Sequence, residues 1–325
     1  MATTLPNLNR RIDQIFTSSW YEIRAEAIDN ILDATPVTAA LRGMGSFKTQ
    51  TGGLFITRTV RHGTETATAV SKGDTLTMGE PELDTMARWT WRYLAVHVQR
   101  SLTDDQQNSG PSQIKSLVSA RLEAAKDAIS QKIESQLLGT QVTDESGKEF
   151  QGLNDVVSSN ANKTTGTYGA IARSNAWWLS KYKDCTDPFS VTLLTDMKNL
   201  YNTVGLNYEV PNLILTTQTL FEAYEDYALD ASQIIKDSNT RMADLGFDVL
   251  KFKGKDMIWS PNVTAGDMMM LNTKYIDVVY DPNVWFDATG WKPIYNQLER
   301  VMHIVSTLNV VSSQLRRHGL LYGAT

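Results

Sequence analysis

Any chemistry in this 325-residue chain has to come from a small set of side chains, and their spacing is poor for it. Four histidines, His62, His97, His303 and His318, are the natural proton shuttles and metal ligands, yet no two fall at the short intervals that hold a metal ion. They read as surface or strand histidines. The single cysteine, Cys185, excludes an internal disulfide and has no histidine near it in sequence to activate a thiolate, so it reads as a small buried side chain. Gly43-Met44-Gly45-Ser46-Phe47-Lys48-Thr49 has the outline of a phosphate loop, but Phe47 stands where a glycine would let the backbone approach the phosphate. Asp281-Pro282-Asn283-Val284-Trp285-Phe286 begins like a calcium loop and fails where Trp285 replaces an oxygen ligand and Phe286 the turn glycine. Neither a Gly-x-Ser-x-Gly elbow nor a Gly-x-Gly-x-x-Gly fingerprint occurs. No enzyme activity, cofactor or metal is expected.

The informative side chains are aromatic. Eight tryptophans, Trp20, Trp89, Trp91, Trp177, Trp178, Trp259, Trp285 and Trp291, are too dispersed for a ligand platform and suit core and subunit-interface packing. Trp20, Phe55, Trp89, Trp91 and Tyr93 are the candidate subunit-interface residues. With 42% hydrophobic and 21% charged residues the chain has the balance of a folded globular protein. No run of about 18 apolar residues could span a bilayer, and the N-terminus lacks the pattern of a signal peptide, so no membrane partner and a cytosolic site of synthesis are expected. A net charge of −5 argues against a protein built to grip phosphate backbones and leaves only weak, local contact with nucleic acid.

The elements that must position these residues follow from periodicity. Apolar residues from Leu8 to Ile31 recur at three and four and predict an amphipathic helix, which Pro36 ends or follows with a new turn. Leu54 to Val60 predicts a strand, and Arg61 to Glu82, rich in glycine and polar residues, an exposed loop or hairpin tip. Arg88 to Val98 predicts a second strand, with Trp89, Trp91 and Tyr93 on one face and Leu94, Val96 and Val98 on the other. A two-stranded arm is marginal alone, so a neighbouring subunit is expected to cover it. Pro111 to Leu138 predicts a helix about 40 Å long, with its apolar seam at intervals of three and four and Gly139 as its stop. After a polar linker, Ser158 to Gly169, helices and strands alternate from Ser190 to Tyr280. A long strand closes the pattern, Arg300 to Leu315.

Several stretches resemble the core of tailed-bacteriophage major capsid proteins. They are Pro211 to Glu225, Ala243 to Phe247, Leu250 to Gly254, Leu271 to Tyr275, and the ending Gln314 to Gly323. Their order and spacing cover about the last 120 residues, which is more specific than any one motif. The resemblance implies an α+β fold, the phage capsid fold of the Hong Kong ninety-seven type. It would have an N-terminal arm (1–43), an extended β-hairpin loop (44–91), a peripheral domain (92–189 and 286–325) with a long spine helix at 111–138, and an inserted axial α/β domain (190–285).

The implied role is a major head protein that self-assembles, as hexamers and pentamers, into an icosahedral shell around the phage genome. An encapsulin-like compartment is the alternative. A portal protein and packaged DNA, touched weakly, would be partners, the shell would assemble in the host bacterial cytoplasm and localise to the virion capsid, and a decoration protein stays open. The residues ahead of Gly43 form one helix and a short turn, too little for a built-in scaffold, so a separate scaffolding protein is expected. Lys72, in Ser71-Lys72-Gly73-Asp74, lies where some relatives carry a cross-linking lysine, but turn chemistry alone accounts for it.

Overall fold

The structure, a computed structural model, describes residues 35–65, 67–75, 79, 82–101, 111–139, 147–157, 166–185, 189–206, 209–230 and 250–324. The expected helix over 8–31, with Trp20, lies outside them.

Helix α1 (Pro36–Gly43) begins with proline in its first turn, where a missing N–H costs nothing. Its first free N–H groups are met by the Glu134 carboxylate, which accepts from Val37 N (3.2 Å), Thr38 N (3.1 Å) and Thr38 Oγ1 (2.6 Å). Strand β1 (Phe47–Thr49) follows, then β2 (Phe55–Arg61) and β3 (Asp84–Thr90), which pair as an antiparallel hairpin from Phe55↔Thr90 to Arg61↔Asp84. The expected single strand from 88 to 98 is broken at Trp91. Its first part stays in the hairpin, while β4 (Arg92–Ser101) runs antiparallel to a different strand. Unbroken alternation hides such a change of partner, because both strands keep the same period of two.

Helix α2 (Pro111–Leu138) has its expected bounds and, at 28 residues, is about 42 Å long. A one-turn helix, α3 (Leu153–Val156), and the two-residue strands β5 (Thr167–Tyr168) and β6 (Ile171–Ala172) lead to a 3₁₀ turn at Ala176–Trp178 and to β7 (Lys181–Asp184). Then come α4 (Phe189–Val204), β8 (Leu213–Thr216), α5 (Gln218–Asp230), β9 (Leu250–Phe252), β10 (Lys255–Trp259), β11 (Met268–Leu271) and β12 (Ile276–Tyr280). The chain ends with β13 (Asp287–Ala288), β14 (Lys292–Pro293), β15 (Glu299–Ser312) and β16 (Gly319–Tyr322).

Among the described residues two larger sheets form. The first has the order β1-β12-β15-β13, with β4 and β14 also pairing β15; the second has the order β7-β16-β11-β8-β10-β9. Hydrogen bonding cuts across the expected 190–285 boundary. β12 pairs with β1 and β15 in the first sheet, and β7 and β16 belong to the second. The chain crosses between the sheets three times, from β4 to β7, through 272–275 and through 313–318, and apolar strands on either side of a crossing look alike in sequence.

Burial explains the layers. Ile129, Ile133 and Leu137 of α2 pack with Val98, Met302, Ile304 and Leu308 of the first sheet. Leu193, Met197, Leu200 and Val204 of α4, with Leu220 and Phe221 of α5, cover Ile214, Met268 and Met270 of the second. Leu213 and Leu215 of β8 face the first core while Ile214 faces the second, so this strand is buried on both faces and reads as an unbroken apolar run. Each such side chain stabilises the fold by about 1.5–3 kcal/mol relative to exposure. Among the described residues no helix is long and apolar enough to cross a membrane.

Candidate functional site: a hairpin and its aromatic seat

The β2–β3 hairpin has two unlike faces. Ile56, Val60, Ala87 and Trp89 point inward and form a third core with Val156, Tyr168, Ile171, Trp178, Val279, Val311 and Leu315. Phe55, Thr57, Thr59, Met86, Arg88 and Thr90 point outward, as the period of a strand requires. The hairpin is therefore seated on its own chain along its inner face and bare on the other side.

The seat comes from residues 166–178, which carry little signal in the sequence. Trp89 meets Tyr168 edge-on at 5.6 Å, and the Trp178 indole N–H donates to the Tyr168 carbonyl at 3.0 Å. His62 stacks on Trp177 at 4.3 Å and an interplanar angle of 15°. Arg88 N donates to the Gly169 carbonyl at 2.9 Å, and the Arg58 guanidinium reaches the Asp277 carboxylate at 3.5 Å, which ties the hairpin to β12. Gly169, expected as the end of a polar linker, is a packing residue: its φ is +59°, and a Cβ there would lie 2.6 Å from Trp89 Cζ2. Beneath the seat, the Arg173 guanidinium stands over the Tyr168 ring at 5.6 Å and donates to the Asp155 carbonyl. Burial, with the Asp155 charge adding to it, holds the Tyr168 hydroxyl well above the usual phenol range. It is a neutral donor there.

The candidate interface residues separate. Trp89 is only 2% exposed, so its ring is used inside this chain and leaves little surface for a neighbour. Trp91 is half-buried, and its indole N–H donates to the Gly53 carbonyl at 2.8 Å. Phe55 is 38% exposed and Tyr93 67%, and Leu54 (80%) and Met86 (52%), which sequence reasoning passed over, belong with them as uncovered apolar surface. Trp20 lies outside the described residues. Lys72 is exposed in a turn closed by Asp74, whose carboxylate accepts from Ser71 N at 2.6 Å.

Cys185 is buried, His318 is buried in a crossing between the sheets, and among the described residues no three histidine, cysteine or acidic side chains converge as a metal site. Lys48, the lysine of the apparent phosphate loop, lies in β1 paired with Val279. The Asp281 carboxylate accepts from Asn283 N in a simple turn.

No protein-family model and no curated protein sequence matches the chain. Solved structures do. The capsid asymmetric unit of cyanophage A-1(L) superposes with a TM-score of 0.65 at 15% identity, covering 86% of this chain and 90% of that one. The capsid of a native GTA particle gives 0.59 at 12% identity, covering 88% and 90%. This chain has the Hong Kong ninety-seven fold of phage capsid proteins. The holo-SrpI encapsulin complex of Synechococcus elongatus also carries a similar chain, with a TM-score of 0.53 at 11% identity and 87% of each chain covered. In the Hong Kong ninety-seven fold of this chain, α2 backs the first sheet and the β2–β3 hairpin leaves the body from the seat at 166–178.

Proposed function

We propose that the chain is a major capsid protein whose copies associate, as hexamers and pentamers, into the icosahedral shell of a phage head. The observation that carries this reading is the hairpin, fixed at its base by the subunit's own aromatic core and bare along its outer face. A flat strand pair with exposed apolar residues is a template for another chain. On this reading 1–43 is an N-terminal arm, 44–91 an extended loop, and α2 the spine of a peripheral domain, with the second sheet forming an axial domain. Phe55, Tyr93, Leu54 and Met86 are the side chains offered to neighbours, and the work is structural rather than catalytic.

A separate scaffolding protein, a portal protein and DNA touched weakly are the partners that go with this role, as is assembly in a bacterial cytoplasm. An encapsulin-like compartment is the second reading, and its structural neighbour superposes less closely than the cyanophage capsid. Light scattering and negative-stain microscopy of the purified chain test the proposal. Rings or shells are expected, and a stable monomer across a wide concentration range refutes it. Nucleic acid inside native particles supports the phage reading, whereas a cargo protein supports the compartment.

A further inference from the structure

Two of the four histidines are brought together by the register of the first sheet. His97 in β4 and His303 in β15 are direct cross-strand partners, 206 positions apart in the sequence. Both backbone groups of His303 are used on the other side of its strand: its carbonyl accepts from Thr289 N at 2.9 Å, and its N–H donates to Thr289 Oγ1 at 3.1 Å. Toward β4 the pair is therefore of the non-hydrogen-bonded kind, which brings Cα atoms to about 4.5 Å and side chains onto one face at their closest. Met302 and Ile304, the neighbours of His303, are buried against α2, so the imidazoles occupy the opposite face, where His97 is exposed and His303 half-buried. Asp287, opposite Val305, is on the same face one diagonal step from His303, and Lys292, opposite Val301, lies on the other diagonal. Glu299 is further along and is engaged by the Gln99 amide.

We propose that His97 and His303 form a two-imidazole site for a divalent transition-metal cation of the copper, nickel or zinc group. Imidazole nitrogens suit these borderline ions, with copper the tightest of the divalent series. Two ligands on adjacent rigid strands bind as a chelate, because the second imidazole is already held beside the ion bound by the first. Water completes the coordination. The site needs no assembly, so it stands or falls apart from the capsid reading.

The test is titration of the purified chain with copper(II) chloride, read by calorimetry and by electron paramagnetic resonance. One equivalent is expected to bind with the splitting pattern of two nitrogen ligands. His97→Ala and His303→Ala are each expected to weaken binding at least about tenfold and to leave a one-nitrogen spectrum. His97 is exposed, so its variant decides the question even if His303→Ala fails to fold, which circular dichroism reports. Absence of stoichiometric copper in the parent protein, or a His97→Ala variant with the parent affinity and spectrum, overturns the proposal.

Discussion

Gly169 and Trp89 hold each other in place, and neither role could be read from its own neighbourhood in the chain. Gly169 lies in a left-handed conformation against the indole, so Gly169→Ala adds both backbone strain and a methyl group where there is no room. The expected loss is roughly 1–3 kcal/mol of subunit stability by denaturant unfolding, and an unchanged midpoint would show that the indole moves aside freely. Trp89→Ala is expected to cost about 3–5 kcal/mol and to unfold the subunit before any effect on assembly can be seen. Met86→Ser, on the bare face of the same strand, should change subunit stability by less than about 0.5 kcal/mol while weakening association measured by light scattering. If Met86→Ser leaves association intact, that face is not what neighbours touch. The alternation around Trp89 made its two-sided strand legible. Its cover was not, because the partner is a pair of two-residue strands in a glycine- and threonine-rich segment with no period long enough to detect.

Among the elements, the two short crossings between sheets, 272–275 and 313–318, show how a buried polar group fixes a joint. His318 Nδ1 accepts from Asn272 N at 3.2 Å, and its Nε2 lies 3.1 Å from Ser312 Oγ, so one ring binds the crossing at 272–275 to the end of β15. Asn212 repeats the device from the start of β8: its amide donates to Thr273 Oγ1 at 2.7 Å and its carbonyl accepts from Thr273 N at 2.8 Å. Outside them Glu209 accepts from Lys274 Nζ at 2.5 Å and from the Tyr275 hydroxyl, with the Arg317 guanidinium 3.6 Å away. Complete burial lowers the His318 pKa to about 3 from the ordinary 6.5. Between those values the unfolded chain binds the proton and the folded chain does not, so stability is retained above about pH 6.5 and lost as pH falls toward 3. The loss reaches on the order of 4–5 kcal/mol. Melting temperatures from pH 7 to pH 4 should therefore fall more steeply in the parent than in His318→Asn, whose amide oxygen replaces Nδ1 without titrating. Equal slopes would mean that other groups govern the acid limb. Strands, helices and their order were legible here. Sheet membership was not, since it is decided by which backbone edges meet after three crossings and not by the local apolar pattern.

For the whole molecule the decisive question is whether the hairpin works by reaching beyond its seat. Among the described residues the paired strands carry the packing: Ile56, Val60, Ala87 and Trp89 supply the inward side chains, and the Arg58–Asp277 pair and the His62–Trp177 stack fix the strands farther along. At Gly63 the two strands are still close, since a Cβ there would stand 2.3 Å from the Glu82 carbonyl oxygen. The segment Thr64–Pro81 can therefore be replaced by Asn-Gly, a dipeptide suited to a tight hairpin turn, without pulling the base apart. Among the described residues it contains none from the three cores, so the shortened subunit should keep the parent's circular dichroism spectrum and a melting temperature within a few degrees. On the proposed role association should fail all the same, because a shell subunit gains affinity from surface buried against several neighbours and a shortened arm would no longer span to them. Normal shells from the shortened chain in negative stain would show that the tip is dispensable and that contacts lie on the body. An unfolded subunit would show instead that the tip returns to support its own chain.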